Sequence, residues 1–213
     1  MENGENKPKH IRKIPEGMIF EDAASLPVAA LTALNGLRLC GNLRGKTVLI
    51  NGATGGVGHF AVQIAKAKGA VVTGVCSTRN VELAKQLGAQ SVIDYTSENF
   101  ISSGKQYDVI FDAYGKLKFA EASRALTQKG IFLTTLFPPS LIFKAVLLRF
   151  LGGKKIFPAN MRKKPEDYAE IEKLIEDGSV KPVIEQIYPL SQTKEAFTAL
   201  EQGKVRGKII IQV

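Results

Sequence analysis

The segment Gly52-Ala53-Thr54-Gly55-Gly56-Val57-Gly58 sets four glycines within seven residues, directly behind the apolar run Val48-Leu49-Ile50. Glycine lets a main chain approach a bulky anion, and it lets a helix start close against the preceding strand. In the dinucleotide-binding spacing G-x-G-x-x-G, Gly55 and Gly58 hold the second and third positions, whereas Ala53 holds the first and departs from the strict pattern. The helix that follows offers free N–H groups to a diphosphate. Such a pattern alone is weak evidence, and it gains force here from a predicted strand before it and a predicted helix after it.

The end of the next predicted strand decides which nucleotide fits. An NAD site usually carries an Asp or Glu there for the ribose 2′-hydroxyl. In this sequence the place falls at about Cys76, followed by Ser77, Thr78, Arg79 and Asn80, with no carboxylate before Glu82. Hydroxyls and a guanidinium suit a 2′-phosphate that a carboxylate would repel, so NADP is favoured over NAD. The plainer reading of Arg79 is a solvated residue at a helix start.

Other chemistry is thinly represented. Gly41-Asn42-Leu43-Arg44-Gly45-Lys46-Thr47 imitates a phosphate loop, but it has three residues between its glycines instead of four and precedes its strand. Two cysteines, Cys40 and Cys76, and two histidines, His10 and His59, form no closely spaced ligand set, so no metal site is expected. His59, behind Gly58, is expected at the surface, and His10 belongs to the lead-in. No general acid can be named.

Positioning the glycine turn requires a layered frame. Thr47 to Ile50 and Val71 to Cys76 read as strands around a helix with Val57, Phe60, Ala61 and Ile64 on one face. The rhythm continues with a helix at Val81 to Leu87, strands at Ser91 to Tyr95 and Tyr107 to Ala113, a helix at Phe119 to Leu126 and a strand at Ile131 to Leu136. This alternation predicts an α/β fold: a Rossmann, doubly wound parallel sheet with helices on both faces. Upstream, Ala23 to Leu39 suits a helix with Pro27 near its first turn. Downstream come a helix at Leu141 to Phe150, a strand near Lys155 to Ala159, a helix from Pro165 to Gly178, an extended Val183 to Tyr188, a helix capped by Ser191, and a final strand at Ile209 to Val213. The division is residues 1–22 as irregular lead-in, 23–162 as nucleotide-binding domain and 163–213 as a C-terminal segment.

Bulk properties agree with a folded chain of 213 residues, 45% hydrophobic and 23% charged. Lys and Arg exceed Asp and Glu by 29 to 20, which favours anionic partners. The groups Lys7 to Lys13, Lys154-Lys155 and Arg162-Lys163-Lys164 are scattered and read as solvated faces, so no nucleic-acid partner is expected. The apolar run Leu141 to Leu151 is too short to span a bilayer, which leaves peripheral membrane contact open. Unpaired cysteines and the lack of a secretory leader point to a reducing compartment, taken as the cytoplasm.

Several stretches resemble the zinc-independent quinone oxidoreductase (ζ-crystallin-like) branch of the medium-chain dehydrogenase/reductase superfamily. They are Phe20 to Ala33, Gly52 to Gly58 with Val62-Gln63-Ile64-Ala65-Lys66, Leu87-Gly88-Ala89 with Val92 to Tyr95, and Glu195-Ala196-Phe197 with Gly207 to Ile210. The resemblance implies NADPH with its diphosphate at Thr54, Gly55, Gly56 and Val57, and its 2′-phosphate near Ser77, Arg79 and Tyr95. It further implies Tyr114-Gly115 near the adenosine, Leu136-Phe137 near the nicotinamide, and Thr32 close to the nicotinamide. For Tyr95 and Phe137 the plainer alternative is packing in the core or at the rim.

Members of that branch carry an N-terminal GroES-like substrate domain, which this sequence does not show; the resemblance thus leaves the substrate cleft without one wall and residues 163–213 as a helix-strand remnant. Three readings stay open: an NADPH-dependent oxidoreductase acting on a quinone or activated enone, a non-catalytic NADPH-binding sensor or partner subunit, and a basic surface protein. By resemblance a homodimer is expected through the edge strand near Lys155 to Ala159.

Overall fold

Val48, Leu49 and Ile50 are all fully buried because their strand, β1 (Thr47–Asn51), lies mid-sheet with a hydrophobic cluster on each face. Val48 and Ile50 join one cluster and Leu49 the other, as the two-residue side-chain period requires. The computed structural model describes residues 13–150, 152–161 and 164–213; the lead-in to residue 12 with His10, together with Leu151, Arg162 and Lys163, falls outside them.

Around β1 stand β2 (Val71–Cys76), β3 (Ser91–Asp94), β4 (Tyr107–Asp112), β5 (Leu126–Thr134) and β6 (Lys155–Pro158), in the order β3-β2-β1-β4-β5-β6. Every neighbouring pair is parallel. The order reverses direction between β1 and β4, and the crevice outside the C-terminal ends of the strands at such a switch is where this architecture holds ligands. The fold is the α/β Rossmann type that the alternation predicts.

Helices cover both faces. On one side lie α1 (Phe20–Arg38), α2 (Gly58–Ala67), α3 (Val81–Gln86) and α6 (Pro165–Glu176), which supply Leu34, Phe60, Ala84 and Ile171 to the larger cluster. On the other lie α4 (Phe119–Ala122) and α5 (Pro139–Phe150), with Phe119 in the cluster and Leu141, Ala145 and Leu148 packed against it. Beyond the main sheet, β7 (Ile184–Pro189), α7 (Thr193–Glu201) and β8 (Lys208–Gln212) form a separate parallel βαβ unit.

Three local expectations need correction. Pro27 is not near the first turn of α1, because the helix starts at Phe20 and carries Pro27 in its interior. Buried Ala29 to Leu37 hold the helix in place beyond that break, and packing offsets the missing hydrogen bond. The predicted helix at Phe119 to Leu126 shrinks to one α-turn and a 3₁₀ turn, since Leu126 pairs with Tyr107 and β5 begins there. Ser191 caps nothing; it sits inside a 3₁₀ turn, where Thr193 Oγ1 donates to Leu190 O at 2.6 Å instead.

Candidate functional site

The turn between β1 and α2 is wound tightly by its own backbone. Gly52 takes φ +78°, its N–H and that of Ala53 donate to Val75 O at 3.1 and 3.0 Å, and Gly55 N donates to Gly52 O at 3.0 Å. A Cβ on Gly58 would collide with the Gly52 carbonyl, so the third glycine is demanded by packing. At Gly55 a Cβ would meet only Gly52 O, at 3.4 Å, and Gly55 lines an open cleft. The second glycine keeps that surface bare of side chain. The Ala53 departure has a physical counterpart: a Cβ on Gly74 in β2 would stand 3.0 Å from the Ala53 methyl, so the methyl moved into the turn occupies space that β2 vacates.

A cleft of about 680 Å³ opens over this turn. Its floor is Asn51, Gly52, Thr54 and Gly55; one wall is Cys76, Ser77, Arg79, Asn80 and Tyr95; Tyr114 and the loop Gly203-Lys204-Val205 complete it. No carboxylate lines it. Asp94, at the end of β3, accepts from Thr96 N at 2.9 Å and Thr96 Oγ1 at 2.7 Å, and hydrogen bonds from Thr78 and Thr96 hold its pKa below the ordinary value. Arg79 Nη2 donates to Lys204 O and stands 4.0 Å from Glu185, which pairs with Arg206 at 3.0 Å.

Of the residues picked out from sequence, Thr54, Gly55, Ser77, Arg79, Tyr95 and Tyr114 come together in this cleft. Gly56 and Val57 continue the turn, Gly56 facing Gly207 O and Lys208. Gly115 takes φ +80°, and a Cβ there would stand 3.1 Å from Leu136 Cβ, so the loops after β4 and β5 lean on each other. Thr134 Oγ1 fixes the second loop by accepting from Leu136 N at 3.2 Å and donating to Leu136 O at 3.0 Å. Phe137 lines a different hollow, between α5 and β6, and Thr32 is buried within α1, away from the cleft lining.

His59 contradicts its surface expectation, being fully buried against Phe60 with ring centroids 3.9 Å apart. The first turn of α2 packs inward because Gly58 brings it hard against β1, and Nδ1 sits 2.9 Å from Gly55 O. Burial, and to a lesser degree Lys208, pushes its pKa down to about 4, against the Gly55 hydrogen bond. Burial likewise raises Cys40 to about 12 and, with Asp94, Cys76 to about 11, so neither thiol is a nucleophile at neutral pH.

Two sets of residues escaped sequence reasoning. Asn51 Nδ2 donates to buried Asp112 Oδ1 at 2.8 Å and Leu117 N donates to Asp112 Oδ2 at 2.9 Å, tying the glycine turn to the loop after β4. Burial raises the Asp112 pKa while these donors oppose the rise. The second set is Gly203 to Lys208, brought back over the turn by a Gly207 N–H to Thr54 O bond of 2.7 Å. Gln63 secures that return through Nε2 to Lys181 O at 2.9 Å and Lys181 N to Oε1 at 2.8 Å. These partners are more than a hundred residues apart along the chain, and no local pattern signals them.

A parallel sheet in this strand order, with a glycine turn after its first strand and a cleft at the switch point, defines a dinucleotide-binding class of protein. The sequence pattern of a family described as "Zinc-binding dehydrogenase" matches residues 87–211. A chloroplast envelope quinone oxidoreductase homolog of Arabidopsis thaliana is 35% identical, the match covering 94% of this chain and 64% of that protein. A mitochondrial NAD(P)H oxidoreductase of Bos taurus is 36% identical over 93% of this chain and 57% of its own length. The structure of the quinone oxidoreductase from Coxiella burnetii superposes with a TM-score of 0.86 at 31% identity, covering 97% of this chain and 65% of that one. This chain belongs to the zinc-binding dehydrogenase family and spans between 57% and 65% of the length of these relatives, which are quinone and NAD(P)H oxidoreductases by name.

Two consequences follow for compartment and metal. The Arabidopsis and Bos taurus relatives are named as a chloroplast envelope and a mitochondrial protein, which overturns the cytoplasmic expectation. The two cysteines are free and buried, which fits any reducing compartment and does not choose among them. Despite the family's description, no group of three or more His, Cys, Asp or Glu side chains that could hold a metal exists among the described residues, so they do not fit a zinc ion.

Proposed function

We propose that this chain is the nucleotide-binding portion of an NADPH-dependent oxidoreductase that passes hydride to a quinone or an activated enone without zinc. Residues 23–162 are assigned as the nucleotide-binding domain, and of the segment that follows, Gly203 to Lys208 return over the glycine turn. The observation that carries the reading is the cleft: a side-chain-free glycine floor facing Ser77, Arg79 and Lys204, with no carboxylate in its lining. The names of the Arabidopsis and Coxiella relatives support a quinone as acceptor.

The reduced nicotinamide, when bound, supplies the hydride. The chain's own work is binding and orientation. Amides of Thr54, Gly56 and Val57 hold the diphosphate above the bare floor at Gly55, whose own N–H is engaged at Gly52 O; Ser77, Arg79 and Lys204 hold the 2′-phosphate, and the exposed rings of Tyr95 and Tyr114 flank the cleft. Gly115 and Leu136, on the loops that lean on each other beyond Tyr114, are assigned to the walls farther along the cofactor, whereas Phe137 and Thr32 stand outside the cleft lining. Buried His59 stays neutral, its Nδ1 engaged at Gly55 O, so the proton that completes reduction comes from solvent. β6, an edge strand with one open side, serves a homodimer.

Fluorescence titration of wild type and Arg79→Ala with both nucleotides tests the assignment. Losing a charge-assisted bond to the 2′-phosphate raises the NADPH Kd about 10- to 100-fold and leaves NADH within about twofold. Equal weakening of both nucleotides, or of neither, contradicts it.

A further inference from the structure

The net charge of this chain has a single origin. Between Glu121 and Glu166 there are nine Lys and Arg and no Asp or Glu, whereas the remaining twenty basic residues balance the twenty acidic ones. That basic stretch contains α5, which is apolar on two sides. Its inner stripe, Leu141, Ala145 and Leu148, packs against the core, while Ile142, Phe143, Val146 and Leu147 form a second stripe with the i, i+1, i+4, i+5 spacing of one helix face. This outer stripe is exposed, Phe143 at 78% and the other three at about half. A soluble helix ordinarily turns a polar face outward.

At the C-terminal end of α5 the chain turns back into β6, and the turn is clamped to the start of β5 by Lys154 Nζ donating to Ser123 O at 2.6 Å. Arg124, Lys129 and Lys155 are exposed around this clamp. These turns lie at the N-terminal ends of β5 and β6, opposite the edge that carries the nucleotide cleft.

We propose that α5 and the basic turns at its end form a docking face for the surface of an anionic lipid membrane. Apolar side chains enter the boundary between headgroups and acyl chains while the cations meet lipid phosphates, the two contributions that bind interfacial helices. Charge selects this occupant. A second copy would bring an equally positive face into contact, and a nucleic acid would leave the apolar stripe without a partner. Antiparallel pairing of β6 edges places the two-fold normal to the sheet, so both α5 helices of a dimer face the same way and can share one surface. No helix among the described residues is long and apolar enough to cross a membrane, so docking is peripheral.

Vesicle co-sedimentation decides the matter, using phosphatidylcholine alone and phosphatidylcholine with about one third phosphatidylglycerol. The full chain is compared with Phe143→Ser/Leu147→Ser and with Lys129→Glu/Lys155→Glu. Wild type pellets with the anionic vesicles and not the neutral ones, and raising salt from roughly 0.1 to 0.5 M lowers its partitioning about tenfold or more as screening shortens. Each double variant partitions at least about tenfold less, with its thermal unfolding and NADPH titration unchanged, which separates this proposal from the nucleotide assignment. Wild type left in the supernatant, equal binding to neutral vesicles, or variants that pellet like wild type overturns it. A Phe143→Ser/Leu147→Ser change that converts a dimer to a monomer in sedimentation equilibrium without altering vesicle binding assigns the stripe to a second copy and overturns it equally.

Discussion

Within one turn, two glycines serve opposite ends. Gly58 is required by packing, since any Cβ there meets the Gly52 carbonyl, and Gly58→Ala is expected to cost about 3 kcal/mol or more, read as a fall in urea midpoint. Gly55 has room for a methyl, so Gly55→Ala leaves the midpoint nearly unchanged while weakening NADPH binding. If both variants fold equally well and bind equally well, the division of labour is wrong. His59 provides a pH signature. Its folded pKa of about 4 lies below the ordinary 6.5, so the unfolded chain takes up the proton first as pH falls. Stability is therefore lost progressively from pH 6.5 towards 4, by about 3 kcal/mol over that window. Chemical unfolding of His59→Gln across the same window should show a correspondingly flatter profile; an unchanged slope means another group titrates there.

At the scale of elements, strand and helix positions were largely legible because hydrophobic period and glycine punctuation agree with each other. β1, β2, α3 and β6 fall within a residue or two of their sequence ranges. Failures occurred where tertiary contacts overrode local preference. Pro27 persists inside α1 because the downstream half of that helix is buried, and Leu126 leaves a helical pattern to pair with Tyr107. The same reason hid half of the site. Thr54, Gly55, Ser77 and Arg79 could be found from local spacing, whereas Lys204 reaches the cleft only because the C-terminal unit docks on α2 through Gln63 and on the turn through Gly207. Gln63→Ala removes both bonds to the Lys181 backbone and is expected to lower stability by about 2 kcal/mol in denaturant unfolding. It should also weaken NADPH binding, since the Lys204 loop is then held less firmly. Unchanged affinity together with reduced stability would detach that loop from the site.

For the molecule as a whole, the cleft over the glycine turn and the basic turns lie at opposite strand ends. The open edge of β6 lies beside α5, and pairing there gives a dimer of the 23.1 kDa chain in sedimentation equilibrium. A monomer at high concentration contradicts that arrangement. The central claim is that main-chain amides of the glycine turn hold the diphosphate of NADPH. Isothermal calorimetry of wild type and Gly55→Asp tests it most directly, because a carboxylate on the cleft floor repels that anion without entering the packed core. Saturable heat with NADPH, at least about tenfold weaker for NADH and absent in Gly55→Asp, is the predicted result. Absence of heat in the wild type with either nucleotide, or full affinity retained in Gly55→Asp, contradicts the account.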